Sequence, residues 1–137
     1  MRLKFPKPGI RKKNKFGNHI IRDPVTGKKA YDSKLERHFH TYLKFKESNG
    51  EIKEVTQWPS VELLPGIRYK PDFKYQKVDT DETIWVDTKG VIGERYRIIR
   101  KLWGLFGPGT LHEVTKKHGG WHTKVIKSKE YIINEKE

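Results

Sequence analysis

The chain has 137 residues, 30 lysines and arginines against 17 acids, and a formal charge of +13. That length fits one compact domain, and that charge favours a polyanionic partner, of which nucleic acid is the commonest. Cysteine is absent, which excludes disulfides and thiolate metal sites; no apolar run is long enough for a membrane span and no signal-peptide segment is recognisable, so a soluble protein is expected, working in the cytoplasm of its cell or host cell.

Residues 1–17 read as a basic flexible arm. Arg2, Lys4, Lys7, Arg11, Lys12, Lys13 and Lys15 carry its charge without one acid, and Pro6, Pro8 and Gly9 oppose a regular helix. Such an arm is either a solvated tail or a segment that lies along phosphates, with Phe5 and Phe16 to stack; the second reading is favoured. A single domain is expected over 18–137. Its first elements are short strands at His19–Arg22 and Lys28–Tyr31, flanking the turn Asp23-Pro24-Val25-Thr26-Gly27. Ser33 is the expected N-cap of a helix that Asn49-Gly50 ends, with Leu35, Phe39, Tyr42 and Leu43 at helical spacing.

Ile52–Trp58 reads as a core strand, and Val61–Leu64 as its continuation beyond Pro59. Alternation of Ile67, Tyr69, Pro71, Phe73 and Tyr75 with polar residues predicts one half-buried strand. A turn over Asp79–Glu82 leads into a strand from Thr83 to Lys89. A second helix, Glu94–Phe106, is expected to pack through Tyr96, Ile99, Leu102, Trp103 and Phe106, and to stop at Gly107-Pro108-Gly109. Thr110–Thr115 is the expected last core strand. The segment from Trp121 to Ile133 is left to pack on the domain or on a second subunit.

Two short stretches carry chemistry: Pro71-Asp72-Phe73 and Val86-Asp87-Thr88-Lys89-Gly90. In an extended chain Asp87 and Lys89 share a face, with Thr88 opposite. A carboxylate beside an ammonium, with a second carboxylate near, can hold a divalent cation and orient a water, which is equipment for phosphodiester cleavage. Glu36 is the candidate third acid. Its spacing from Ser33 also makes a capping box, in which Glu36 folds back onto the Ser33 amide. Spacing leaves cap and ligand equally open.

Taken in order, Tyr31-Asp32-Ser33-Lys34-Leu35-Glu36, Tyr69-Lys70-Pro71-Asp72-Phe73 and Trp85-Val86-Asp87-Thr88-Lys89-Gly90 resemble the PD-(D/E)xK nuclease superfamily. Within it the resemblance is to small phage endonucleases, including endonuclease I-type Holliday junction resolvases, and it runs from about Lys15 to Thr115. It implies an α/β (α+β) fold with a restriction-endonuclease-like αβββαβ core, a mixed sheet flanked by helices. It also implies a Mg2+-dependent endodeoxyribonuclease, with Mn2+ able to substitute, acting on DNA of branched or four-way form as a homodimer. Asp72, Asp87 and Glu36 would be catalytic metal ligands, with the Thr88 carbonyl a further oxygen. Lys89 would hold the attacking water or stabilise charge in the transition state. The chain departs from the common pattern in having Asp87 where many members have Glu, and in the long Lys77–Thr83 loop.

Arg95, Arg97, Arg100 and Lys101 follow the second stretch closely and, with Arg11, Lys12, Lys13 and Lys15 of the arm, are the expected DNA-binding residues. Gln57 is either a site residue or a polar edge residue. His118 and His122 have helical metal-ligand spacing, but Gly119-Gly120 between them opposes a helix and a zinc site; His38 and His40 read as surface or core-edge residues. The competing functions are a restriction-like or homing-like endonuclease or nickase, and a basic nucleic-acid-binding module without catalysis.

Overall fold

The structure is a computed structural model that describes residues 20–129. The basic arm, with Arg11, Lys12, Lys13 and Lys15, and the stretch Tyr131–Ile133 lie outside the described residues. In chain order the elements are β1 (Ile21–Arg22), β2 (Lys29–Tyr31), α1 (Lys34–Ser48), β3 (Ile52–Gln57), β4 (Val61–Leu64), β5 (Ile67–Tyr69), β6 (Phe73–Lys77), β7 (Thr83–Thr88), α2 (Glu94–Phe106), β8 (Thr110–Lys117) and β9 (Gly120–Lys127). Five strands form one mixed sheet in the order β3-β6-β7-β8-β9, and β1-β2 and β4-β5 are separate two-stranded hairpins. Among the described residues only the β7–β8 pairing is parallel, and α2 is the crossover between those two strands. The fold is therefore α+β, and no helix among the described residues is long and apolar enough to cross a membrane.

Strand alternation gives the sheet two apolar faces. Along β7, Ile84 and Val86 join Phe73, Tyr75 and Val114 beneath Phe39 and Leu43 of α1. The alternate residue, Trp85, packs with Leu111 on the other face, against Tyr96 and Trp103 of α2. Each fully buried side chain of Leu or Phe size, such as Leu43 or Phe73, contributes about 1.5–3 kcal/mol by leaving water. Helix α1 starts where expected: Ser33 is extended and its Oγ accepts the Glu36 amide at 3.1 Å. It ends at Asn49, with Gly50 at φ 77°. Helix α2 stops at Gly107, where a Cβ would lie 2.6 Å from the Trp103 carbonyl oxygen, so only glycine lets the chain turn against that ring.

Four expectations about elements need correction. Val61–Leu64 does not continue β3; it pairs with Ile67–Tyr69 in a hairpin of its own. The alternation from Ile67 to Tyr75 is not one strand, because the chain breaks over Lys70–Asp72, where Pro71 has no amide to give a ladder. The break changes faces: Tyr69 joins the α2 core, while Phe73 and Tyr75 join the α1 core. Phe106 does not pack; it is 47% exposed. Finally, Gly120–Lys127 is a fifth sheet strand, antiparallel to β8 along its whole length. Its turn places His118 at φ 50° and Gly119 at φ 79°, so His118 and His122 share no helix.

Candidate metal centre

Asp32 enters α1 one residue before the cap, Glu36 lies in its first turn, and Asp72 sits in the break just ahead of β6. One carboxylate oxygen from each lies within 4.8 Å of the others. Glu36 divides its two oxygens between the roles that spacing left open. Oε2 accepts the Asp32 amide at 2.9 Å, so the capping bond goes to Asp32 and not to Ser33. Oε1 is buried and, among the described residues, has no hydrogen-bond partner, in a residue only 1% exposed.

Burial, and then the charge of Asp72, push the Glu36 carboxyl up to about 8, against the pull of the Asp32 amide. Burial also raises Asp72, opposed by hydrogen bonds from Thr88 and by the Lys89 ammonium. Those bonds come from the Thr88 hydroxyl and amide, which donate to Asp72 Oδ2 at 2.7 and 2.8 Å and fix the carboxylate against the end of β7. The group's ion pair is Lys29 Nζ with Asp32 at 2.8 Å. Like charges 4 Å apart repel by about 4 kcal/mol at an effective dielectric of 20. The buried pair Glu36 and Asp72 therefore favours protons or a cation, while Asp32 stands half-exposed beside Lys29. An orphaned buried oxygen and an all-carboxylate donor set fit a hard divalent ion such as Mg2+ or Mn2+.

Of the expected ligands, Glu36 and Asp72 are thus brought together, and Thr88 is tied to Asp72. Asp87 and Lys89 follow Trp85 on the α2 face at the end of β7, where the Lys89 charge still reaches Asp72, and among the described residues Asp87 is not part of the three-acid group. Lys89 Nζ is 3.3 Å from Asp87 Oδ2, the Tyr69 hydroxyl donates to the same oxygen, and the ammonium stands 4.1 Å from the Tyr96 ring centroid. Burial raises Asp87 to about 6 while Lys89 opposes the rise. The Lys89 amide donates to the Val114 carbonyl at 2.8 Å, which holds the residue in line with β7 beyond the strand's last position. Asp87 and Glu113 are register partners on β7 and β8, and Arg100 pairs with Glu113 at 3.0 Å. Arg100, expected to meet DNA, is committed to that pair, whereas Arg95, Arg97 and Lys101 are exposed.

Asp32, Tyr69 and Glu113 were not foreseen. Asp32 had a readable signal, since it stands four residues before Glu36 at the mouth of the same turn. Tyr69 and Glu113 had none, because their places follow from the β5 hairpin and the β7–β8 register. Gln57 is half-buried, donates to the Ala30 carbonyl at 2.5 Å, and lies close enough to Glu36 to temper its rise. His40 is engaged by the Tyr31 hydroxyl at 2.8 Å. Comparison of the chain with protein-family models, with curated proteins and with solved structures found no match.

Proposed function

We propose that the chain is a Mg2+- or Mn2+-dependent endodeoxyribonuclease with a restriction-endonuclease-like core of PD-(D/E)xK type. The observation that carries this reading is the unpartnered, buried Glu36 Oε1 within the group formed with Asp32 and Asp72. Asp32, Glu36 and Asp72 would hold the ion. Bound there, a divalent cation supplies Lewis-acid polarisation of a phosphodiester oxygen and lowers the pKa of a coordinated water.

The protein's own groups do the rest. Thr88 orients Asp72 through two hydrogen bonds. Lys89 presents a cation for the charge that grows on the phosphate in the transition state. Asp87, expected as a ligand, is assigned here to holding Lys89, because both Lys89 and Tyr69 occupy the same oxygen of its carboxylate. The proposed substrate is branched DNA, the four-way junction first, cut by a homodimer whose symmetry would match the two strands.

The test is incubation with Mg2+ or with EDTA of four labelled DNAs: a four-way junction, a linear duplex, a flap and a single strand. Cleavage is expected with Mg2+ only, and junction first. Asp72→Asn and Lys89→Ala should each lower the rate by about 10²–10³-fold while binding in EDTA persists. Binding without cleavage of any of the four would overturn the enzyme reading; equal cutting of junction and duplex would replace the resolvase by a general nickase.

A further inference from the structure

Two clefts meet at Gly90, immediately after Lys89. One, of about 500 Å3, is lined by Arg68 of the β4–β5 hairpin, by Lys70 just after it and by Lys89 and Arg95, with no acid in its wall. The other, of about 560 Å3, is lined by Arg97 and by Lys117, His122 and Lys124 from β8 and β9. Its one acid is Glu113, already paired with Arg100. Gly90 lines both. Lys70, Arg95, Arg97, Lys117 and Lys124 form no ion pair among the described residues. Five unpaired cations collected in two adjoining concavities repel one another, and a chain of regularly spaced anions would relieve all of them together.

We propose that the two clefts form one track for the sugar-phosphate backbone of DNA, running from the β4–β5 hairpin over Gly90 to the β8–β9 hairpin. The inference rests on the nucleic-acid reading above and extends it to two hairpins. The track passes Lys89 at its middle, so phosphates seated on both sides would fix which phosphodiester faces that ammonium. It reads no bases, and its binding energy is that of counterion release.

The experiment is fluorescence anisotropy with a labelled duplex, in EDTA, over a series of salt concentrations. Three double variants of equal charge change are compared with the parent protein. They are Lys70→Ala/Arg95→Ala in the first cleft, Lys117→Ala/Lys124→Ala in the second, and the control Lys28→Ala/Lys44→Ala on exposed positions away from both. Each cleft pair should flatten the slope of log affinity against log salt by about 2, near 1 for each lost phosphate contact, and the control pair should leave it unchanged. Equal flattening by the control pair, or an unchanged slope for either cleft pair, would overturn the track. Absence of salt-dependent binding by the parent protein would instead remove the nucleic-acid reading itself. Loss of the cleavage reading alone would leave these slopes as they are.

Discussion

On the α2 side of β7, Asp87 has Lys89 and Tyr69 at its carboxylate, and Glu113 has Arg100 at 3.0 Å. On the α1 side, Asp32 pairs with Lys29 and Asp72 feels the charge of Lys89, while the buried Glu36 has no ion pair among the described residues. Both sides bury acids, but among the described residues only the first gives each of its buried acids a cation partner. A matched acid can hold a neighbour in place, as Asp87 holds Lys89. An unmatched group gains most from an ion that comes from outside. Thr88 joins the two sides: its neighbours Asp87 and Lys89 face α2, while its own hydroxyl and amide bind Asp72.

The comparison can be broken most sharply at Asp87. As the holder of Lys89, its change to Asn should slow cleavage by about a hundredfold, a size usual for groups that orient catalytic ones, and leave Mn2+ affinity intact. Loss of Mn2+ binding in that variant would put Asp87 among the ligands. Next in size is Arg100→Ala, which strands Glu113 at 6% side-chain exposure. A cost of about 2 kcal/mol in urea unfolding is expected, below the value for a fully buried pair because a quarter of Arg100 meets water. Adding Glu113→Gln to that variant should recover most of the loss.

Acids on both sides have raised pKa values. Glu36 is raised from 4.5 to about 8 and Asp72 upward as well, while on the matched side burial still lifts Asp87 from 3.8 to about 6. Acids whose pKa is higher in the folded state keep their protons longer there. Their stabilising effect is full below about pH 4 and is lost as pH rises through about 6 to about 8. The melting temperature of the ion-free protein should therefore fall across that window, and Glu36→Gln should raise it at pH 8 and flatten its upper part. An ion-free protein that melts higher at pH 8 than at pH 5 would contradict the assignment. The smallest effect belongs to Ser33→Ala, which removes the cap on the Glu36 amide and should cost about 1 kcal/mol in urea unfolding.

Local chemistry is legible in this sequence, and long-range pairing much less so. The Ser33 cap, the Asn49-Gly50 stop and the Gly107 stop rest on backbone needs that neighbouring residues declare. The sheet position of Gly120–Lys127 could not be read, because its one half-buried aromatic, Trp121, earns its place by packing on Phe39 and Tyr42, far off in the chain. The same limit applies to the site. Glu36 and Asp72 were readable from their motifs, and Asp87 with Lys89 from strand alternation. That alternation separates Asp87 from the acid group was hidden, because Asp72 lies in a strand break from which its side chain reaches Thr88 on the other strand. Arg100 looked like a free cation until the β7–β8 register set Glu113 beside Asp87.

The central claim is that the group of Asp32, Glu36 and Asp72 binds a divalent cation. Calorimetric titration of Mn2+ into the ion-free protein at pH 8, for the parent chain and for Glu36→Gln, tests it most directly. The account predicts saturable binding by the parent that weakens at least tenfold in Glu36→Gln; no binding by the parent, or equal binding by both, would contradict it.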